Sequence, residues 1–303
     1  MDPAAESDRR AWVVHVMGLP VSVHLRGPDV RHDAVAARVE RVFAELRAVD
    51  ATFSTYRPES EIGRLAGRAP DPATAGPLVR EVAELCDLAR MRTAGRFDAR
   101  RLPLPAGGTG FDPSGLVKGW AVQRAAGWLA DLAGHDLCLN AGGDVLLRAG
   151  ADRPAWRVGI EDPDHPGHLL DVLDRRDGAV ATSGTARRGA HIVDPRTGRP
   201  ATALRSVTVV GPELLWADVY ATAAMTRDAD DALAWLTGLT GHEALLVTAE
   251  GRLRTTPDWP GPVRGGTGVA GCGASGRTGK NGPHAVTPER AGGAAGARRR
   301  GRA

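Results

Sequence analysis

Two lysines stand among 39 basic side chains in this sequence, Lys118 and Lys280; every other basic residue is arginine. Lys118 lies in the run Phe111-Asp-Pro-Ser-Gly-Leu-Val-Lys118-Gly-Trp-Ala121. An ammonium is a compact point charge and a guanidinium a planar fork, so a lone lysine in an arginine-rich chain suggests a site needing the former. Gly115 and Gly119 flank it at an expected helix start, where backbone N–H groups attract anions. Asp112 and Ser114 could equally serve only to cap that helix. No G-x-G-x-x-G fingerprint and no G-x-x-x-x-G-K-[ST] loop is present, so neither common phosphate cradle accounts for an anion here. Asp218 and Thr222 are four apart, which on a helix turns both oxygens to one face. A carboxylate, a hydroxyl and backbone carbonyls suit a hard cation such as Mg²⁺, and a helix-internal polar pair is the plainer alternative. His191 precedes Ile-Val-Asp194-Pro-Arg-Thr197-Gly198, a turn sequence that fixes its direction. Histidine titrates nearest neutral pH of all side chains and suits proton transfer. Tyr56, one of two tyrosines, could lay a ring against a flat ligand or sit half-buried at a loop edge. Asn140-Ala-Gly-Gly-Asp144 reads as a hairpin turn or a close backbone approach to a ligand. Ser183 has no G-x-S-x-G elbow around it, and no nucleophilic triad stands out.

The elements that must position these residues alternate irregularly. Residues 12–25 read as two strands around Gly18-Leu19-Pro20. Apolar residues at Val35, Val39, Val42, Phe43, Leu46 and Val49 have helical spacing, as do those of 76–94. A third helix is expected over 119–132, then strands over 137–140, 145–147, 156–160, 180–182 and 206–210. Helices over 216–225 and 230–239 precede a strand over 244–248. Strand groups separated by helices, without a regular βαβ beat, indicate an α+β domain with a hint of two halves.

The chain's net charge of +3 hides an uneven distribution. Residues from 257 onward carry a net +6, which leaves −3 on the first 256. A mildly acidic body argues against a nucleic-acid binder, which would want a basic face. Residues 1–10 and 257–303 are expected to be disordered, the latter because a Gly/Ala/Arg-rich tail cannot bury enough apolar surface to offset chain entropy. Residues 11–256 form the expected folded domain. No stretch reads as a membrane span. The first residues read neither as a secretion signal nor as a lipidation site, so a cytoplasmic location is expected, with association with a membrane-bound target left open. Three widely spaced cysteines indicate neither a disulfide framework nor a zinc site.

Taken in order, several segments resemble the ApbE family of FAD:protein FMN transferases. They are Phe53-Ser-x-Tyr56 with Ser60-Glu-Ile62, Gly95-x-Phe-Asp98, Asp112 through Gly119, Asn140-x-Gly-Gly-Asp144, Thr182-Ser-Gly184, His191 through Gly198, and Ala217-Asp218 with Thr222. The resemblance runs from about residue 17 to 247. It implies two T-fold-like halves with an FAD site in the cleft between them. It also implies Mg²⁺-dependent transfer of FMN from FAD to a Thr or Ser hydroxyl of a target flavoprotein, with release of AMP. By the same resemblance Met17, Tyr56, Arg96, Phe97, Asp98, Asp112, Lys118 and Val193 would lie along FAD. Asp218, Thr222 and the carbonyls of Gly115 and Ala221 would hold Mg²⁺, and His191 would be the base. An FAD pyrophosphatase giving FMN and AMP, or a non-catalytic FAD-binding protein, are the alternatives.

Overall fold

The structure is a computed structural model. It describes residues 8–262 except 72, 104–106, 187, 188 and 190, together with the backbone of 266–267 and 272–274. In chain order the elements are β1 (Arg9–Val16), β2 (Leu19–Arg26), α1 (Asp33–Phe53), α2 (Glu61–Leu65), α3 (Pro77–Arg92), β3 (Leu102–Pro103), β4 (Thr109–Gly110) and α4 (Ser114–Ala126). Then come β5 (Asp136–Ala141), β6 (Asp144–Arg148), β7 (Trp156–Glu161), β8 (His168–Arg175), β9 (Asp177–Gly184), β10 (Val193–Asp194), β11 (Arg199–Pro200) and β12 (Leu204–Gly211). The chain continues through α5 (Leu214–Met225), α6 (Ala229–Thr237), β13 (Glu243–Thr248), β14 (Leu253–Thr255), β15 (Gly266–Thr267) and β16 (Cys272–Ala274).

Eight strands form one antiparallel sheet in the order β1-β2-β5-β6-β9-β12-β13-β14. The order resolves into two halves of one plan. In each, a strand pair leads into helices and a second strand pair follows: β1-β2 with β5-β6, then β9-β12 with β13-β14. The halves join edge to edge where Val145 of β6 faces Val180 of β9. The α+β class and the two-halved architecture expected from sequence are both present.

Period-2 alternation explains why the sheet has a layer on each side. Leu137, Leu139, Ala179, Ala181, Val207, Val209, Ala244 and Leu246 pack into the helix-side core. Their neighbours Cys138, Val180, Val210, Leu245 and Val247 face the other way, onto a smaller sheet ordered β15-β8-β7-β16. Both faces being covered makes these strands nearly continuous apolar runs, as buried strands must be. On the helix side α1 buries the residues whose spacing predicted it. Helix α5 is buried on every side: eleven of its twelve residues, Leu214 to Met225 with Thr222 half-buried, lie out of solvent. A helix enclosed all round loses the amphipathic stripe that would mark its face.

Several expectations shift. The first hairpin turns at Met17-Gly18, both with positive φ (54° and 71°), rather than at Gly18-Leu19-Pro20, and Leu19 and Pro20 already belong to β2. Such a two-residue turn needs left-handed backbone at both centres, which matches the strand twist. Helix α4 starts five residues earlier than expected, at Ser114. Strand β8 was not foreseen, because His168-Leu-Leu-Asp-Val-Leu-Asp-Arg175 interleaves charges with apolar pairs rather than alternating. Arg9 and Arg10 lie in β1. Beyond 256, Trp259 is buried in the second core and its indole donates to Asp171 Oδ2 at 2.8 Å. The folded edge therefore lies past residue 256; the rest of the expected tail lies outside the described residues, apart from the backbone of β15 and β16. Cys138 is disulfide-bonded, contrary to the sequence expectation, and Cys86 is a free thiol. Among the described residues no helix is long and apolar enough to cross a membrane.

Candidate functional site

Three charged side chains meet where the two halves join. Lys118 comes from α4 in the first half, Asp218 from α5 in the second, and Asp144 from the first residue of β6 at the seam. The Lys118 ammonium contacts Asp144 Oδ2 and lies 3.4 Å from Asp218 Oδ1. Both carboxylates are only 2% exposed. The helices approach closely here because residue 119 is glycine. A Cβ at Gly119 would come within 3.0 Å of the Leu214 carbonyl and 3.2 Å of Asp218 Oδ2. The hairpin glycines serve Asp144 in another way. Gly142 and Gly143 take positive φ (65° and 111°) between β5 and β6, and Asn140 Oδ1 accepts from Gly143 N at 2.9 Å. That turn delivers Asp144 beside β9, where its Oδ1 accepts from Thr182 N at 3.0 Å and extends the ladder by one bond. The plain hairpin reading of Asn140-Ala-Gly-Gly-Asp144 is therefore correct for the glycines, while the aspartate is drawn into the site.

One ammonium against two buried carboxylates leaves a negative charge uncompensated. Asp218 Oδ2 has no hydrogen-bond partner among the described residues. Burial raises the Asp218 carboxyl to about 7; Lys118 opposes that rise and Asp144 adds to it. The Lys118 ammonium is held protonated beyond its ordinary range, the two carboxylates outweighing its own burial. A net-negative buried pocket with an unpartnered carboxylate oxygen has the chemistry of a cation site. One turn along α5, Thr222 Oγ1 is 2.9 Å from Ser183 Oγ on β9, so the two hydroxyls of Thr182-Ser183-Gly184 and α5 meet. Among the described residues no three His, Cys, Asp or Glu side chains gather as a metal cluster. Donors other than the two aspartates would have to be hydroxyls or carbonyls, as the sequence reading supposed for Thr222, Gly115 and Ala221.

The remaining expected residues sit around this centre. Phe97 is buried with its ring against Gly115, 3.2 Å from where a Cβ would stand, and Phe97 N bonds to Thr93 Oγ1. Asp98 Oδ1 accepts from Arg100 N. Asp112 Oδ1 accepts from Ser114 N at 2.9 Å, so Asp112 closes the turn into α4 while Ser114 is inside the helix rather than its cap. Arg96 reaches across to Asp194 at 3.7 Å, tying the β10–β11 hairpin, with Val193 and His191 at its start, to the Phe97 segment. His191 is exposed, and its Nδ1 lies 3.0 Å from the Gly189 carbonyl. A carbonyl only accepts, so Nδ1 donates this bond, and in the neutral ring the lone pair lies on Nε2. Tyr56 is 85% exposed on the loop after α1, not half-buried. Among the described residues Met17, Tyr56 and His191 make no hydrogen bond to the Lys118 cluster. Sequence reasoning missed Asp144 as a site residue, although the motif containing it was visible; only the Gly-Gly pair drew notice there.

The fold and this seam define an α+β protein with a buried lysine–dicarboxylate centre between two like halves. The sequence profile of the ApbE family matches residues 17–106 and 99–246, which is most of the chain, so the chain belongs to the ApbE family. Among curated proteins it is 32% identical over 166 residues to the FAD:protein FMN transferase of Treponema pallidum, covering 52% of this chain and 46% of that one. It is 32% identical over 134 residues to the Vibrio cholerae protein of the same name, covering 41% of this chain and 40% of the relative. The aligned stretch thus spans less than half the length of these relatives. Among solved structures, the ApbE protein of Thermotoga maritima superposes with a TM-score of 0.72 at 19% identity, covering 83% of this chain and 98% of that one. The apo flavinyl transferase ApbE of Pseudomonas stutzeri superposes at 0.69 and 22% identity, covering 85% and 97%. These superpositions bear on the fold.

Proposed function

We propose that this chain is an FAD:protein FMN transferase, moving FMN from FAD to a Thr or Ser hydroxyl of a target flavoprotein and releasing AMP. The observation that carries the reading is the Lys118–Asp144–Asp218 centre at the junction of the halves, in a chain whose curated relatives bear that activity as their name. FAD is the substrate, held along Met17, Tyr56, Arg96, Phe97, Asp98, Asp112, Lys118 and Val193. Tyr56 offers an open ring for stacking. Lys118, a point charge pinned by two carboxylates, faces the diphosphate. Asp218 and Thr222, with the carbonyls of Gly115 and Ala221, would hold Mg²⁺. The unpartnered Asp218 Oδ2 and the surplus buried negative charge fit that ion. When bound, Mg²⁺ would supply charge neutralisation at the phosphoryl oxygens.

His191 Nε2 takes the proton as the acceptor hydroxyl oxygen attacks the FMN-side phosphorus. The bond from that phosphorus to the bridging oxygen breaks, and AMP leaves with the electron pair. Lys118 steadies the anion on both sides of the step. The acceptor ends with FMN in phosphoester linkage.

Incubation with FAD, Mg²⁺ and a candidate acceptor domain tests this, following AMP and the acceptor's mass. AMP together with a mass gain of FMN supports transfer. AMP without an acceptor points to a pyrophosphatase, and neither product points to a flavin-binding protein. His191→Ala should still bind FAD and lose transfer; transfer at the parental rate would remove His191 from the mechanism. Asp218→Ala should lose its response to added Mg²⁺, and an unchanged response would sink the metal assignment.

A further inference from the structure

A cavity of about 310 Å³ opens between the β10–β11 hairpin, the end of α5 and the segment after α3. Its wall carries four guanidinium groups, from Arg96, Arg196, Arg199 and Arg227. Three aspartates stand against them. Asp194 pairs with Arg196 at 3.2 Å and Arg96 at 3.7 Å. Asp231 pairs with Arg227 at 2.8 Å and Arg96 at 3.2 Å. Asp228 caps α6 through Asp231 N at 2.8 Å. One positive charge is left over, in a body whose first 256 residues are net negative. Arg227 is 8% exposed, and its Nε–H is buried without a hydrogen-bond partner among the described residues. Its Nη1 donates to Asp231 Oδ2 and its Nη2 to the Thr93 carbonyl at 3.4 Å, so Nε is the nitrogen of the fork left unmade; that is costly, and an oxyanion admitted to it by a small shift of the side chain would recover the cost. The crowding shows on Arg96, whose guanidinium is pushed down by burial first and then by Arg196 and Arg227.

We propose that this cavity is an oxyanion-binding subsite, separate from the Lys118 centre, taking one carboxylate or phosphate group between Arg227 and the hairpin arginines. Planar guanidinium forks bind either group in bidentate fashion, which gives the two ligands one chemistry. Arg196 and Arg199 lie exposed at the hairpin, so an anion reaches Arg227 past them. The same hairpin begins two residues after His191, so an anion bound here would fix the hairpin through Arg196. The inference goes beyond the transferase reading and does not depend on it: Arg96, which that reading places along FAD, lines the cavity, but the anion is assigned to Arg227, Arg196 and Arg199.

Calorimetric titration of the full chain with malonate and with inorganic phosphate tests the subsite, in the parent, in Arg196→Ala/Arg199→Ala, and in Arg227→Lys. Binding by the parent, weakened at least tenfold in both variants, is expected. The double substitution is confined to exposed side chains, so it keeps the test valid if Arg227→Lys fails to fold. Tighter malonate binding would indicate a protein carboxylate as the natural ligand, and tighter phosphate binding a phosphoryl group; either outcome supports the subsite. No binding by the parent, or affinity unchanged in the double variant, would overturn it. Saturating FAD provides the last arm. Unaltered anion affinity supports a separate subsite, and displacement by FAD would overturn it by assigning the cavity to the FAD site. Absence of FMN transfer would leave all these affinities as they are, so failure of the transferase reading is distinguishable.

Discussion

Asp218 is a carboxylate on a helix with no exposed face, and its cost should be measurable in the apoprotein. Its carboxyl is raised to about 7 by burial, against an ordinary value near 4. A group raised in the folded state contributes stability that is complete below its unfolded pKa and disappears as pH climbs through the folded one. Metal-free protein should therefore lose thermal stability between about pH 4 and 8, and Asp218→Asn should flatten that loss and melt higher than the parent at pH 8. A parental melting curve with no such pH slope would contradict it. Lys118→Ala should act in the opposite sense. It leaves two buried carboxylates facing each other without a cation, an arrangement worth about 3–5 kcal/mol of destabilisation. Urea unfolding at pH 8 and pH 5 should show the larger loss at pH 8, because protonation relieves the repulsion. At the residue scale the sequence exposed Lys118, Asp218 and Thr222 by rarity and spacing. Asp144 stayed hidden because its role depends on a hairpin carrying it across the seam to Lys118.

At the scale of elements, the contact between α4 and α5 decides the site. Gly119 would normally be a weak point in a helix, and Ala there would gain about 1 kcal/mol of intrinsic propensity. The Leu214 carbonyl at 3.0 Å and Asp218 Oδ2 at 3.2 Å from the added methyl work against that gain. Gly119→Ala should be destabilised by about 1–3 kcal/mol in urea unfolding, as overpacked contacts are, and should weaken FAD binding in a calorimetric titration with FAD. A variant as stable as the parent would show that the helices can part without cost. Helices α1 and α3 were readable because each shows one apolar stripe, although α1 runs on to Phe53, past the last stripe residue named from sequence, Val49. Helix α5 was readable only as an apolar stretch, since burial on all sides erases periodicity. The first hairpin was placed by its strands and misplaced by its turn, because Met17 gives no residue-level sign of left-handed backbone.

At the scale of the molecule, the small sheet on the far face closes the structure, and the chain beyond residue 256 takes part in it. Trp259 fills the second core and bonds Asp171. Trp259→Ala should cost about 3–5 kcal/mol by the usual penalty for emptying an aromatic site, and truncation after residue 256 should cost at least as much. Scanning calorimetry checks both; a truncated chain with the parental midpoint would restore the domain limit drawn from composition. Composition misled here because Gly, Ala and Arg dominate the tail as a whole, while one tryptophan near its start carries the packing.

The sequence by itself determined the α+β class, most helices, all but the last strand of the large sheet, the family, and the identity of the residues that carry charge and hydroxyls in unusual places. Those follow from local periodicity, rarity and motif order, which are properties of neighbours along the chain. Only the tertiary structure decided that two ββ-helix-ββ halves share one sheet, that Asp144 and Asp218 converge on Lys118 at their seam, and that four arginines from three separate segments line one cavity. Each of these joins residues tens to more than a hundred positions apart. Such pairings are fixed by sheet order and helix packing, which no local pattern encodes.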